Sequence, residues 1–224
     1  MNVTANASKA PITAASVTVH RARVLPPPSV RGGMPLMEAM SLRRSSRTFG
    51  TGPLSLQHIS NILWAAAGIN RPSGGDRTTP AWRHIAAISV YVATPDGLYR
   101  YSPEHRQLIH HLSADLRAMS GEQEFAGTAP LDLIYVAHGD MLMQLEEPER
   151  RLVASVDAAF MGQNVYLYCA ANGLATVFRG AIDYPTLTAA MQLGPDEFVT
   201  FAQTIGHPRY VQDCPSSLES GKAG

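Results

Sequence analysis

The sequence predicts an α+β fold, with a central and mainly antiparallel sheet flanked by helices. Three observations carry that prediction. Apolar residues at helical spacing alternate along the chain with short runs of strand character, the dipeptide Asp96-Gly97 joins two of those runs as a hairpin, and no segment repeats. A hydrophobic content of 45% over 224 residues also supports one domain with a substantial core.

Taken in order, MNVTANASKAPITAASVTV is small and polar and lacks the continuous apolar region of a secretory signal. Residues 1–31 are expected to be a flexible leader ending in the proline-rich, extended RVLPPPSVRGG. In PLMEAMSLRR, Pro35 suits a first helical turn and Leu36, Met37 and Met40 share a face. Met34, Met37 and Met40 read as core or dimer packing. LSLQHISNILWAAAG predicts a second helix, with Ser55 as N-cap, Leu56, Ile59, Ile62, Leu63 and Ala66 at helical spacing, and Gly68 as its stop. Residues 69–84 form a long loop rich in Gly, Pro and Thr. IAAISVYVA and LYRY are the two strands around Asp96-Gly97.

SADLRAMSG reads as a short helix opened by Ser113, and LDLIYVA as a compact strand. From Pro148 to Asn172, Val153, Val156, Phe160, Leu167 and Ala170 recur with almost no charge after Asp157, which predicts a helix buried on most sides. Gln163 and Asn164 inside it need hydrogen-bond partners. LATVFRG is a strand, Asp183 caps a helix with Pro185 in its first turn, and VTFAQTIG is the last strand. The domain is expected over 32–210, followed by a loop-like tail over 211–224.

Formal net charge is zero, from 18 basic and 18 acidic residues, so no overall field recruits nucleic acid or an anionic membrane. No run approaches the ~18 apolar residues of a membrane span. Cys169 and Cys214 form no disulfide framework and no paired metal motif, which fits a reducing compartment, by default the cytoplasm. No glycine-rich nucleotide loop, zinc-protease motif or serine nucleophile elbow occurs. His110-His111 and His138 read as surface or loop residues. Trp64 belongs to a helix, whereas Trp82 lies in the loop, in reach of an aromatic ligand.

What stands out is RRSSRTF, with Arg43, Arg44 and Arg47 around Ser45 and Ser46. Forked guanidiniums with a hydroxyl and backbone N–H groups match the oxygens of a phosphate monoester. A solvated helix end, its cations complementing the carbonyl terminus, accounts for the charge equally well.

The same residues, with the RTTP loop about 30 residues later, GGMPLMEAM before them, LSLQHISNILWAAAGINRP after them, GQNVYLYCAANGLATVFRG and AQTIGHP, resemble the nitroreductase family, nearest its SagB-type dehydrogenase branch. These landmarks span residues 32–208. The resemblance implies an FMN-binding fold in an intertwined homodimer with the flavin at the subunit interface. It implies that Arg43, Arg44, Ser45 and Arg47 hold the phosphate and ribityl chain. Pro80, Ala81 and His84 fall where the family often has Pro-Ser-x-x-Asn reaching the flavin from the partner, here with alanine and histidine as departures. Phe178, Arg179 and Gly180 fall beside the flavin ring, where a positive Arg179 would favour an anionic reduced flavin or an anionic substrate; an ion pair with Asp183 is the alternative. Arg209 is a further cation for the phosphate.

The function so implied is an FMN-dependent oxidoreductase. It passes electrons from NAD(P)H to a small conjugated or nitroaromatic acceptor by ping-pong chemistry, with no catalytic side chain required and no metal. The alternatives are a SagB-type azoline or peptide dehydrogenase, a flavin-binding protein without turnover, and a scaffold that takes no flavin.

Overall fold

The computed structural model describes residues 22–209; the leader before them, the tail after them and Cys214 lie outside the described residues. Of the stretch 1–31 expected to be flexible, the part from Arg23 to Ser29 is docked. Arg23–Val24 forms strand β1, Leu25 is buried, and the carbonyls of Pro26 and Pro27 accept from Ser60 and Gln57. Prolines keep that segment extended, which leaves its carbonyls free to bond side chains of a neighbouring helix.

Helix α1 covers Leu36–Leu42 and α2 covers Leu56–Ala67. Ser55 caps α2 by accepting from His58 N–H. Gly68 ends it with an extended φ of −67°, where a Cβ would stand 2.3 Å from a Trp64 ring carbon, so close approach selects the glycine there. Part of the expected 69–84 loop is a small hairpin, β2 (Ile69–Arg71) with β3 (Asp76–Arg77). Strands β4 (Ile88–Thr94) and β5 (Gly97–Ser102) meet at the expected turn, and β6 (Gln107–Leu112) continues the meander. The periodicity of β6 is blurred by His110-His111, so sequence reading missed it. The helix expected from Ser113 is instead a single tight turn at Arg117–Met119. There the Arg117 guanidinium bonds both oxygens of Asp115 and the Ala129 carbonyl, which fixes a compact loop.

After a short helix α3 (Glu124–Thr128) come β7 (Leu131–His138), the 25-residue α4 (Glu147–Ala171), β8 (Ala175–Arg179), α5 (Tyr184–Ala190) and β9 (Glu197–Gly206). The seven-stranded sheet runs β1-β6-β5-β4-β7-β9-β8, every described pair antiparallel. Central β7 is apolar almost throughout because it is covered on both faces. Leu133, Tyr135 and Ala137 face α2 and α4, and Ile134 and Val136 face Leu187 and Met191 of the α5 side. Cys169 sits in the first of these layers, where burial raises its thiol well above the ordinary range and leaves it unreactive.

Helix α4 is not buried on most sides. Leu152, Val156 and Phe160 are exposed, as are Leu36, Met37, Met40 and Leu42 of α1, and the two helices pack together. The methionines of α1 are therefore not core. Asn164 bonds the Ala65 and Thr78 carbonyls, tying α4 to α2 and the loop, while Gln163 is exposed.

Candidate functional site

The arginine segment leaves α1 at its C-cap, Arg43, and runs along the outer edge of the sheet. Ser46 N–H donates to the Thr176 carbonyl of β8 at 2.9 Å, Phe49 bridges Pro208, and Gly50 N–H donates to the His207 carbonyl. Arg209 N–H lies 3.4 Å from the Thr48 carbonyl. The chain ends of β8 and β9 thus bring Arg209 next to the segment that carries Arg43, Arg44, Ser45 and Arg47. All four guanidiniums are exposed, and among the described residues none has a carboxylate partner. Four cations gathered without counter-ions repel one another, which a dianion between them would reverse. A cavity of about 210 Å³ opens beside them, lined by Arg44, Ser46, Tyr166, Thr176 and Pro208 among others.

Tyr166 is the residue that sequence reading missed. Its hydroxyl is 2.8 Å from Ser45 Oγ and accepts from Phe178 N–H at 2.9 Å, and its ring lies 5.3 Å under the Arg43 guanidinium. One side chain thereby ties the arginine segment to β8. The signal was slight: four residues before Tyr166 on α4 stands Gly162, where a Cβ would come within 2.5 Å of the Phe178 ring. That face of α4 is turned toward β8.

Phe178 packs with Phe201, ring centres 4.7 Å apart, and with Tyr135 on the α4 side of the sheet. Gly180 is exposed just beyond it. Arg179 points to the opposite face, so its side chain does not flank a ring bound on the α4 side. Its guanidinium is buried against Asp132 at 2.8 Å and bonds the Ser120 carbonyl, Ser120 Oγ and Thr204 Oγ1. The alternative pair with Asp183 is absent too, since Asp183 caps α5 by accepting from Thr186. Burial pushes the Asp132 carboxyl up to about 7, against the pull of Arg179, Thr204 and Ser120.

Pro80, Ala81 and His84 lie elsewhere on the molecule. Their loop is held by Thr79 on the Ala66 carbonyl and by Trp82 N–H on Asp157, with Trp82 packed against the core and Arg83 4.8 Å over its ring. Burial raises the Asp157 carboxyl. Arg83 and His84 have φ of 49° and 63°, left-handed values that turn the His84 side chain outward, 89% exposed, toward Asp76 at 3.5 Å. Among the described residues of one chain, no bond joins this loop to the arginine segment.

Comparison with known proteins identifies the family of the fold. The model of the nitroreductase family fits residues 40–207. A protein of Methanocaldococcus jannaschii, named among the nitroreductases, is 29% identical over 156 residues, covering 65% of this chain and 78% of its own. A crystal structure from Ralstonia eutropha, likewise titled as a nitroreductase, is 44% identical, with a TM-score of 0.82 over 86% of this chain and 92% of that one. An NADPH:FMN oxidoreductase of Vibrio harveyi complexed with NAD⁺ shares the fold at 20% identity, with a TM-score of 0.58 over 78% of this chain and 69% of that one. With three quarters of its length inside the family pattern, the chain belongs to the nitroreductase family of oxidoreductases.

Proposed function

We propose that the protein is an FMN-dependent oxidoreductase that takes reducing equivalents from NAD(P)H and delivers them to a small conjugated or nitroaromatic acceptor. The observation that carries the reading is the group of exposed, uncompensated guanidiniums of Arg43, Arg44, Arg47 and Arg209 at the open end of β8 and β9. The donor set fits the cofactor: arginine forks, the Ser45 hydroxyl and a lining of Ser46 and Thr176 suit a phosphate and a polyol chain. When bound, the flavin supplies reversible hydride and electron transfer at one site, so the two substrates would react in turn. The side chains then have positioning work to do. Tyr166 fixes Ser45 against β8, and Phe178, stacked on Phe201, gives an apolar wall that keeps water from that side. Nicotinamide use is the reason to place the reaction in the cytoplasm.

A homodimer belongs to the same proposal. The apolar stripe of Leu36, Met37 and Met40 beside Leu152, Val156 and Phe160 suits a second copy of the chain. A partner's Pro80–His84 loop would then supply what one chain does not bring to its own arginine segment. Phe160→Asp should shift the protein to monomer in analytical ultracentrifugation and reduce bound flavin; a dimer that survives intact would place the interface elsewhere.

The direct test is an anaerobic titration of FMN-loaded protein. The oxidised flavin absorbance should bleach with NADH or NADPH and return on adding a nitroaromatic, a quinone or an azoline-bearing peptide, whichever is the acceptor. Colourless protein after FMN addition would overturn the cofactor, and flavin that never bleaches would overturn the turnover.

A further inference from the structure

The sheet carries a second group of reactive side chains, far in sequence from the arginine segment. Ser89 on β4 stands opposite Val136 of β7, two positions before His138, and His138 stands directly opposite Glu197 of β9. Alternation along the strands puts all three on one face of the sheet. Ser89 Oγ lies 2.7 Å from His138 Nε2, and His138 Nδ1 lies 3.3 Å from Glu197 Oε1. Glu197 Oε2 is fixed by Gly194 N–H at 2.8 Å. A carboxylate facing Nδ1 favours the tautomer protonated there, which leaves the Nε2 lone pair to accept from the serine hydroxyl. Serine, base and orienting acid therefore occur in hydrogen-bonding sequence.

Two further observations separate this chain from an ordinary polar ladder. Ser89 and His138 line a cavity of about 530 Å³, within the size range of small-ligand sites, which shares no lining residue with the cavity beside Arg44. Its wall also holds Arg77 and Arg100. Arg77 Nε is buried with no acceptor among the described residues, although its Nη atoms bond the Ala67 carbonyl and Glu104. An orphaned buried donor costs stability unless some acceptor reaches it, so the cavity wall offers an unmet bond to a polar group that enters.

We propose that Ser89, His138 and Glu197 form a hydrolytic centre for small carboxylic esters, independent of the flavin site. Ser89 Oγ attacks the ester carbonyl carbon while His138 Nε2 takes its proton. The carbonyl oxygen gathers negative charge on the side of Arg100, which stands opposite Tyr91 and so shares the Ser89 face, then the C–O bond to the alcohol breaks and His138 returns the proton to the departing alkoxide. Water, deprotonated by His138, opens the acyl-serine to give the carboxylic acid and restores Ser89. Glu197 is a positioning residue that holds the imidazole.

The test uses the full-length, FMN-loaded protein with p-nitrophenyl acetate as substrate and a fluorophosphonate as covalent probe. The probe should attach to Ser89 in peptide mass spectrometry, and Ser89→Ala should lower ester hydrolysis by about 100-fold or more at unchanged far-ultraviolet dichroism. Glu197→Gln should lower kcat at an unchanged KM; a change in KM alone would remove it from the relay. Hydrolysis at the native rate in Ser89→Ala, or a probe attached elsewhere or nowhere, overturns the proposal whatever the flavin titration shows.

Discussion

Replacing Arg44 and Arg47 together by alanine should weaken FMN binding by about 3 kcal/mol, roughly 100-fold in Kd, since a hydrogen bond to a charged group contributes about 1.5–3 kcal/mol. The lower end is appropriate because both side chains are exposed and water and salt screen them. Equilibrium dialysis or flavin fluorescence quenching measures the loss, and raising the salt should narrow the gap between native and variant protein. Lysine at both positions should recover only part of the affinity: it restores the charge without the planar fork that matches two phosphate oxygens. Arg31→Ala, in the exposed lead-in, serves as a control for loss of a surface arginine and should leave Kd unchanged. Native affinity in the double alanine variant would refute the grip and return the cluster to its other reading, a solvated helix end.

Strands β4, β5, β7, β8 and β9 and the long helices were legible because their signals are local. Ser55 and Asp183 announce their helices, Asp96-Gly97 its hairpin, and the apolar run of β7 a compact strand. The arginine cluster was legible for the same reason, three of its four arginines falling within five consecutive residues. What escaped depends on which face a residue occupies or on which distant strand it meets. Arg179 and Phe178 are adjacent in sequence but point to opposite sides of β8, so a position beside a ring could not be assigned to both side chains. Ser89, His138 and Glu197 are separated by 49 and 59 residues and become neighbours only through the order β4-β7-β9. Phe160 has helical spacing like any core residue, and no single-chain pattern distinguishes a face that meets a sheet from one left open.

Arg179→Ala should be the most damaging single substitution for stability, costing about 3–5 kcal/mol, because it strands Asp132 at a position closed to solvent. For a domain of this size that corresponds to a fall in Tm of roughly 6–20 °C. The guanidinium also spans β8, β9 and the Ser120 loop, and Gly121 is glycine where a Cβ would stand 1.6 Å from Arg179 Nη1, so nothing else can fill the gap easily. The cost should depend on pH with a definite sign. Burial already lifts the Asp132 carboxyl to about 7, above the ~3.9 of an unfolded aspartate, and losing Arg179 lifts it further. A carboxyl raised in the folded state adds stability that is complete below the unfolded value and is lost as pH rises through the folded one. The native chain finishes losing that contribution near 7, whereas the variant goes on losing it above. Urea unfolding should therefore show a larger deficit at about pH 8.5 than at about pH 6, and a deficit equal at both would mean that Asp132 is not the group left exposed to the loss. Replacing the pair together, Asp132→Leu with Arg179→Met, should recover much of the stability and flatten the pH dependence, because apolar packing needs no counter-charge.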